Sequence, residues 1–296
     1  MNKITWHNLF YSQNEHRLRA GWRLAIQMTM LCFLLIFQIF AFALANAFYH
    51  WHISDTGLFI LSTLFELIAF TGSVILARRF LDKRSFASLG FGAWSKVGNI
   101  SFTDLCTGFL IAAIIMTFVY VVMGRLGWIK FIGFAWQFDP ISVIENQTLL
   151  YYLIFIIVGF QEELLCRGYH LQTIASGSNV VWGMLGSSLI FAVMHLGNPG
   201  ATWMTVLGIF FAGLLLAFAY IRTGSLWLSI GLHIGWNFFE GVVFGFPTSG
   251  VTIYALTRIH VTGPTLWTGG AFGPEAGLII LPALAIGAGL VWAYTK

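Results

Sequence analysis

Along the chain, polar residues gather in short clusters between long apolar runs, at about 22–48, 57–77, 105–123, 149–175, 180–195, 203–221, 226–245 and 277–294. A helix that crosses the hydrocarbon core of a bilayer takes about 20 apolar residues, so these runs predict eight transmembrane helices with short connections. The expected fold is an all-α polytopic membrane protein, a single integral membrane domain over 1–296, with both termini on one side. Ala43-Leu44-Ala45 would suit a signal peptidase, but the apolar run before it starts at Leu24. That is too long for a signal-peptide core of about 7–15 residues, so the first span is read as retained.

Composition agrees with this pattern. Hydrophobic residues make up 58% and charged residues 9% of the chain, against about 45–50% and about 25% in a soluble domain. With 17% aromatics and 6 prolines, disordered, collagen-like and disulfide-rich secreted classes are excluded as well. The net charge of +4 does not point to nucleic acid, because Lys and Arg form no patch and instead lie at segment ends. Their partner is the lipid bilayer. Lys3, Arg17, Arg19, Arg23, Arg78, Arg79, Lys83, Arg84, Lys96, Arg222 and Lys296 fall on one side, and Arg125, Lys130 and Arg258 on the other. The positive-inside rule therefore places both termini in the cytoplasm and makes 78–96 a cytoplasmic connector. Cys32, Cys106 and Cys166 each lie in an apolar run and read as small core residues, and the tryptophans as headgroup anchors.

Ionisable groups inside a bilayer are costly unless paired, hydrated or functional. Here they are Glu66, Glu162, Glu163, Arg167, His195, His233 and Glu240, and all but the first lie between 162 and 240. On a helix Glu163 and Arg167 stand at i,i+4 in the favoured order, while Glu162 points about 100° away and is left over, as a general base requires. Phe191 and His195 are again four apart. His233, Asn237 and Glu240 form a polar stripe about 60° wide on one helix. At about 1.5 Å per residue, Glu162, His195, His233 and Asn237 lie roughly 20, 22, 13 and 19 Å from the cytoplasmic ends, so helices four, five and seven can bring them together. Plainer readings are an arginine-centred knot, a satisfied packing histidine and an interhelical hydrogen-bond seam. Glu66 reads as a packing partner. Cys166 with His170 imitates a thiol dyad but lacks the electropositive, partly exposed setting such a dyad needs.

These residues resemble a family, the CAAX-processing and bacteriocin-processing (CPBP or Abi) intramembrane endopeptidases. The family pattern EExxxR, FxxxH, HxxxN stands here as Glu162-Glu163-x-x-x-Arg167, Phe191-x-x-x-His195 and His233-x-x-x-Asn237. The resemblance covers about 78–290, with its core at 149–245, and the loop from Thr268 to Glu275 is similar to bacterial members. It implies an eight-helix protease of a bacterial plasma membrane that hydrolyses a peptide bond of a membrane-associated protein or peptide. Glu162 and His195 would activate water, and His233 and Asn237 would hold the oxyanion, with Glu163, Arg167 and Phe191 in support and no cofactor. Two alternatives are a zinc protease using Glu162, His195 and His233, with Glu240 able to complete the shell, and a self-immunity or scaffold protein without proteolysis. A transporter fits less well, because the polar groups sit in one half of the chain rather than in two related halves. The loop 246–276, the longest outer connection, is expected to be a lid with Trp267 and Phe272 as apolar anchors.

Overall fold

The computed structural model describes residues 10–12, 16–91 and 100–296; Lys3, His7 and Lys96 lie outside them. The protein is all-α, 74% helical. A short hairpin, β1 (Tyr11–Ser12) and β2 (Arg17–Leu18), leads into α1 (Ala20–Tyr49). Then come α2 (Asp55–Leu76), prolonged by a π-helical turn Ala77–Leu81, and α3 (Ile100–Arg125). Strand β3 (Ile129–Phe134) precedes α4 (Ile141–Glu163), which runs through a π-helical segment Leu164–Leu171 into α5 (Gln172–Gly177). After it stand α6 (Val180–Met194), α7 (Trp203–Thr223) and α8 (Trp227–Asn237), the last prolonged by a π turn Phe238–Val243. Strand β4 (Thr257–Val261), α9 (Thr265–Thr268) and α10 (Ile280–Tyr294) complete the chain.

Helix ends follow local chemistry. Ser54 and Asn179 accept backbone N–H groups of Gly57 and Trp182 and so cap α2 and α6, and Gly224, at φ 66°, stops α7. Among the described residues, six helices are long and apolar enough to cross a membrane: Ala20–Tyr49, Asp55–Leu81, Phe102–Arg125, Ile141–Gly177, Val180–Gly197 and Trp203–Thr223. The protein is therefore an integral membrane protein. The runs expected at 226–245 and 277–294 form shorter helices.

Helix α8 is held at close range to α3. A Cβ added at Gly231 would lie 2.0 Å from the Leu105 carbonyl oxygen, so only glycine permits this backbone approach. The loop 246–276, expected to face outward, is not loose. It contains β4, which pairs antiparallel with β3, from Ile129 opposite Val261 to Phe134 opposite Thr257.

One expectation is corrected. Cys166 is buried, but Cys32 and Cys106 are exposed on the outer faces of their helices rather than in a core. Arg17, Arg23 and Arg78, which lie near helix ends, are buried around Asp82. The π turn after α2 brings that acid under them, and Arg78 also donates to Gln172 and Ser88.

Candidate functional site

The ion pair read from the i,i+4 spacing is formed: Arg167 Nη1 lies 2.7 Å from Glu163 Oε1, both side chains fully buried. The second Arg167 nitrogen, Nη2, donates to the Gly213 carbonyl of α7 at 3.0 Å. His233 of α8 reaches the same Glu163 oxygen with Nδ1 at 2.9 Å. A carboxylate only accepts, so Nδ1 carries the hydrogen, and Nε2 faces Glu162 Oε2 at 3.6 Å. Glu162 thus stands apart from the Arg167 pair, as the spacing predicts, and its side chain keeps 17% exposure.

His195 begins the one-turn 3-10 segment that ends α6, and its Nδ1 donates to the Phe191 carbonyl at 2.8 Å. This leaves Nε2 of the neutral ring as an acceptor. The FxxxH spacing has a second consequence. The Phe191 ring meets His195 edge-on at 4.7 Å and His233 at 5.9 Å, and Arg167 Cζ sits 4.4 Å above it. Phe191 thus packs against both imidazoles and the guanidinium.

Glu162, His195, His233 and Asn237 all line one cavity of about 220 Å³. Among the described residues, neither Glu162 Oε2 nor Glu163 Oε2 accepts a hydrogen bond. Glu66 of α2 lines the same cavity and accepts Gln161 Nε2–H at 3.2 Å, so it is part of the site's wall rather than only a packing partner. Glu240 is not among the lining residues. The helical wheel that joined it to His233 and Asn237 assumed an α-helix, and the π turn that starts at Phe238 turns it elsewhere. From the outer loop, Thr248, Ser249, Val251 and Ile253 line the cavity, whereas the expected anchors do not: Phe272 is buried and Trp267 packs on Trp128.

One residue of that loop, at the end of the stretch similar to bacterial members, has no role in the sequence reading. Glu275 is buried and accepts Trp236 Nε1–H at 2.8 Å and Ser249 N–H at 3.0 Å. Burial pushes its carboxyl above the ordinary carboxylate range, with the His195 ring and the donors from Ser249 and Trp236 pulling the other way. Its partners lie 26 and 39 residues away, so no local spacing could have exposed it.

The zinc alternative requires Glu162, His195 and His233 to converge. Among the described residues, no three His, Cys, Asp or Glu side chains gather closely enough to hold a metal ion, and His233 commits Nδ1 to Glu163. The residues do not fit as a ligand set in this arrangement.

Residues 144–239, which hold all three motifs, match the family described as type II CAAX prenyl endopeptidase Rce1-like. The resemblance to the CAAX-processing proteases is thus found by a comparison made without the geometry. No match to the chain is found among curated proteins or solved structures.

Proposed function

Taking 144–239 as a segment of the Rce1-like type, we propose that the chain is an intramembrane endopeptidase of the glutamate type that cuts a membrane-associated protein or peptide. One observation carries this reading: Glu162, His195, His233 and Asn237, from three helices, line a single cavity. Glu162 acts as general base on a water molecule that also donates to His195 Nε2. The water oxygen attacks the peptide carbonyl carbon and its proton passes to Glu162. As the C–N bond breaks, Glu162 returns that proton to the leaving amine nitrogen. His233 and Asn237 donate to the oxyanion, and loss of one such donor costs about 2.7–4 kcal/mol of transition-state stabilisation. Since Nδ1–H of His233 is taken by Glu163, Nε2 donates only when the ring is an imidazolium. Glu163, Arg167 and Phe191 hold the two imidazoles and the acid in place.

We place eight spans in a bacterial plasma membrane with cytoplasmic termini, one domain over 1–296. The two short spans are 227–243 and Ile280–Tyr294. At 1.5 Å per residue they reach roughly 22–26 Å, and a bilayer thins locally around such helices at modest cost. Asn198, Pro199 and Thr248 line the cavity from connections at the helix ends remote from the Arg23–Asp82 cluster, which supports entry from the non-cytoplasmic side.

The test compares new protein N-termini in membranes of cells carrying the native chain and Glu162→Gln. The proposal expects a defined product to vanish; an unchanged set of products would overturn it in favour of the scaffold alternative. Chelation with 1,10-phenanthroline should leave cleavage intact, and its loss with recovery on added zinc would revive the metal mechanism.

A further inference from the structure

The loop after α8 carries a buried carboxylate for which the proposed chemistry has no use. Glu275 lies in the short 3-10 turn Pro274–Ala276, pressed against α7 so closely that a Cβ at Gly208 would stand 1.8 Å from the Glu275 carbonyl oxygen. Its Oε1 accepts the indole N–H of Trp236, the residue just before Asn237, at 2.8 Å. Its Oε2 accepts two donors of Ser249, the backbone N–H at 3.0 Å and the hydroxyl at 2.9 Å. All three bonds run toward the acid, and two come from N–H groups that can only donate. A glutamine would turn an NH₂ group toward one of them.

The residue so held is unusual. Ser249 and Gly250 have φ of 47° and 86° and form a two-residue turn closed by paired bonds of 3.0 and 2.9 Å between Thr248 and Val251. Two successive positive φ values suit Asn-Gly, and serine enters the left-handed region only against a steric cost. The turn is tied from the other side too, since Asn198, three residues after His195, donates Nδ2–H to the Ser249 carbonyl at 3.1 Å. Thr248, Ser249 and Val251 line the cavity that holds Glu162 and His195. A smaller cavity of about 20 Å³ joins His195, His233, Trp236, Ser249 and Glu275 behind it.

We infer that Glu275 is a positioning residue: it clamps the Ser249–Gly250 turn to the helix bearing His233 and Asn237 and so fixes the wall against which substrate lies beside His195. What the wall serves rests on the endopeptidase reading; the clamp does not. The test uses the full chain in membranes with Cys32, Cys106 and Cys166 replaced by alanine and a reporter cysteine at Val251, labelled with a maleimide. Glu275→Gln should raise the labelling rate at least tenfold, and Trp236→Phe, which keeps the ring but loses the donor, should raise it less. On a peptide spanning the cleavage site found above, both should increase KM while kcat changes little. A merely structural role would lower the active fraction and hence kcat, leaving KM alone. Unchanged labelling in both variants overturns the clamp, and faster labelling with native KM overturns the positioning role. If Glu275→Gln does not fold, Trp236→Phe and Ser249→Gly carry the same test. Labelling unchanged by Glu162→Gln, with cleavage persisting, would sink the endopeptidase reading alone and leave the labelling comparison to decide the clamp.

Discussion

Two buried charge clusters stand out among the described residues, and they differ in how far their acceptors are satisfied. Around Asp82, Arg23, Arg78 and Arg17 converge on both carboxylate oxygens, and Arg23 and Arg78 reach on to Ser176, Ser88 and Gln172. This cluster ties the ends of α1 and α2 to the end of the long fourth helix and borders none of the cavities described above. Around Glu163, Arg167 and His233 crowd onto one oxygen, the other oxygen is left without a partner, and Glu162 faces a cavity. A cluster that holds helices together satisfies its acceptors. In the proposed reading the second cluster keeps some open for a reactant, at a cost in stability that its neighbours must offset.

The comparison breaks most visibly by substitution at the open acid. Glu162→Ala, His195→Ala and His233→Ala should each reduce cleavage by about 10²–10⁴, with melting temperatures within a few degrees of native. Product yields and thermal melts in detergent check this, and a matching fall in stability would make the two clusters alike. Next comes Asp82→Ala, which leaves buried arginines without their shared acid and should cost about 3–5 kcal/mol. Cleavage per folded molecule should stay native. Glu163→Gln and Arg167→Ala should fail on both counts, losing stability of that order together with activity. Phe191→Leu should cost about 0.5–2 kcal/mol, the range for a guanidinium held over an aromatic face, with a modest loss of kcat. The smallest effect belongs to the outer loop. Leu266→Cys, on an exposed position, should react with an impermeant maleimide added outside without loss of cleavage, whereas Thr268→Cys, at a buried one, should not react. Labelling of Leu266→Cys only from the cytoplasm would reverse the orientation.

What the sequence made legible was what depends on near neighbours. The Glu163–Arg167 pair, the isolation of Glu162 and the Phe191–His195 contact all follow from four-residue spacing on a helix, and three motifs at one depth predicted their meeting. Glu66 was read as packing because its hydrogen-bond partner, Gln161, is 95 residues away. The burial of Asp82 is not legible in the sequence, because nothing around it marks the π turn that carries it inward. The stripe through Glu240 failed for a related reason: the wheel presumes 3.6 residues per turn, and the helix abandons that spacing one residue after Asn237.

The π-helical segment Leu164–Leu171 amounts to an inserted residue in an otherwise continuous helix. Deleting one residue from it would let the helix close into ordinary α geometry while everything beyond keeps nearly the same phase, because the wider turns are where the extra residue is housed. Gln172 would still face Arg78, and Glu162 and Glu163 lie upstream of the cut. The same deletion within 141–163 has no bulge to absorb it and turns everything beyond by about 100°. A one-residue deletion in 164–171, at a position other than Arg167 or His170, should therefore be less damaging than one in the α-helical stretch before it, as thermal melts of the two kinds of variant would show.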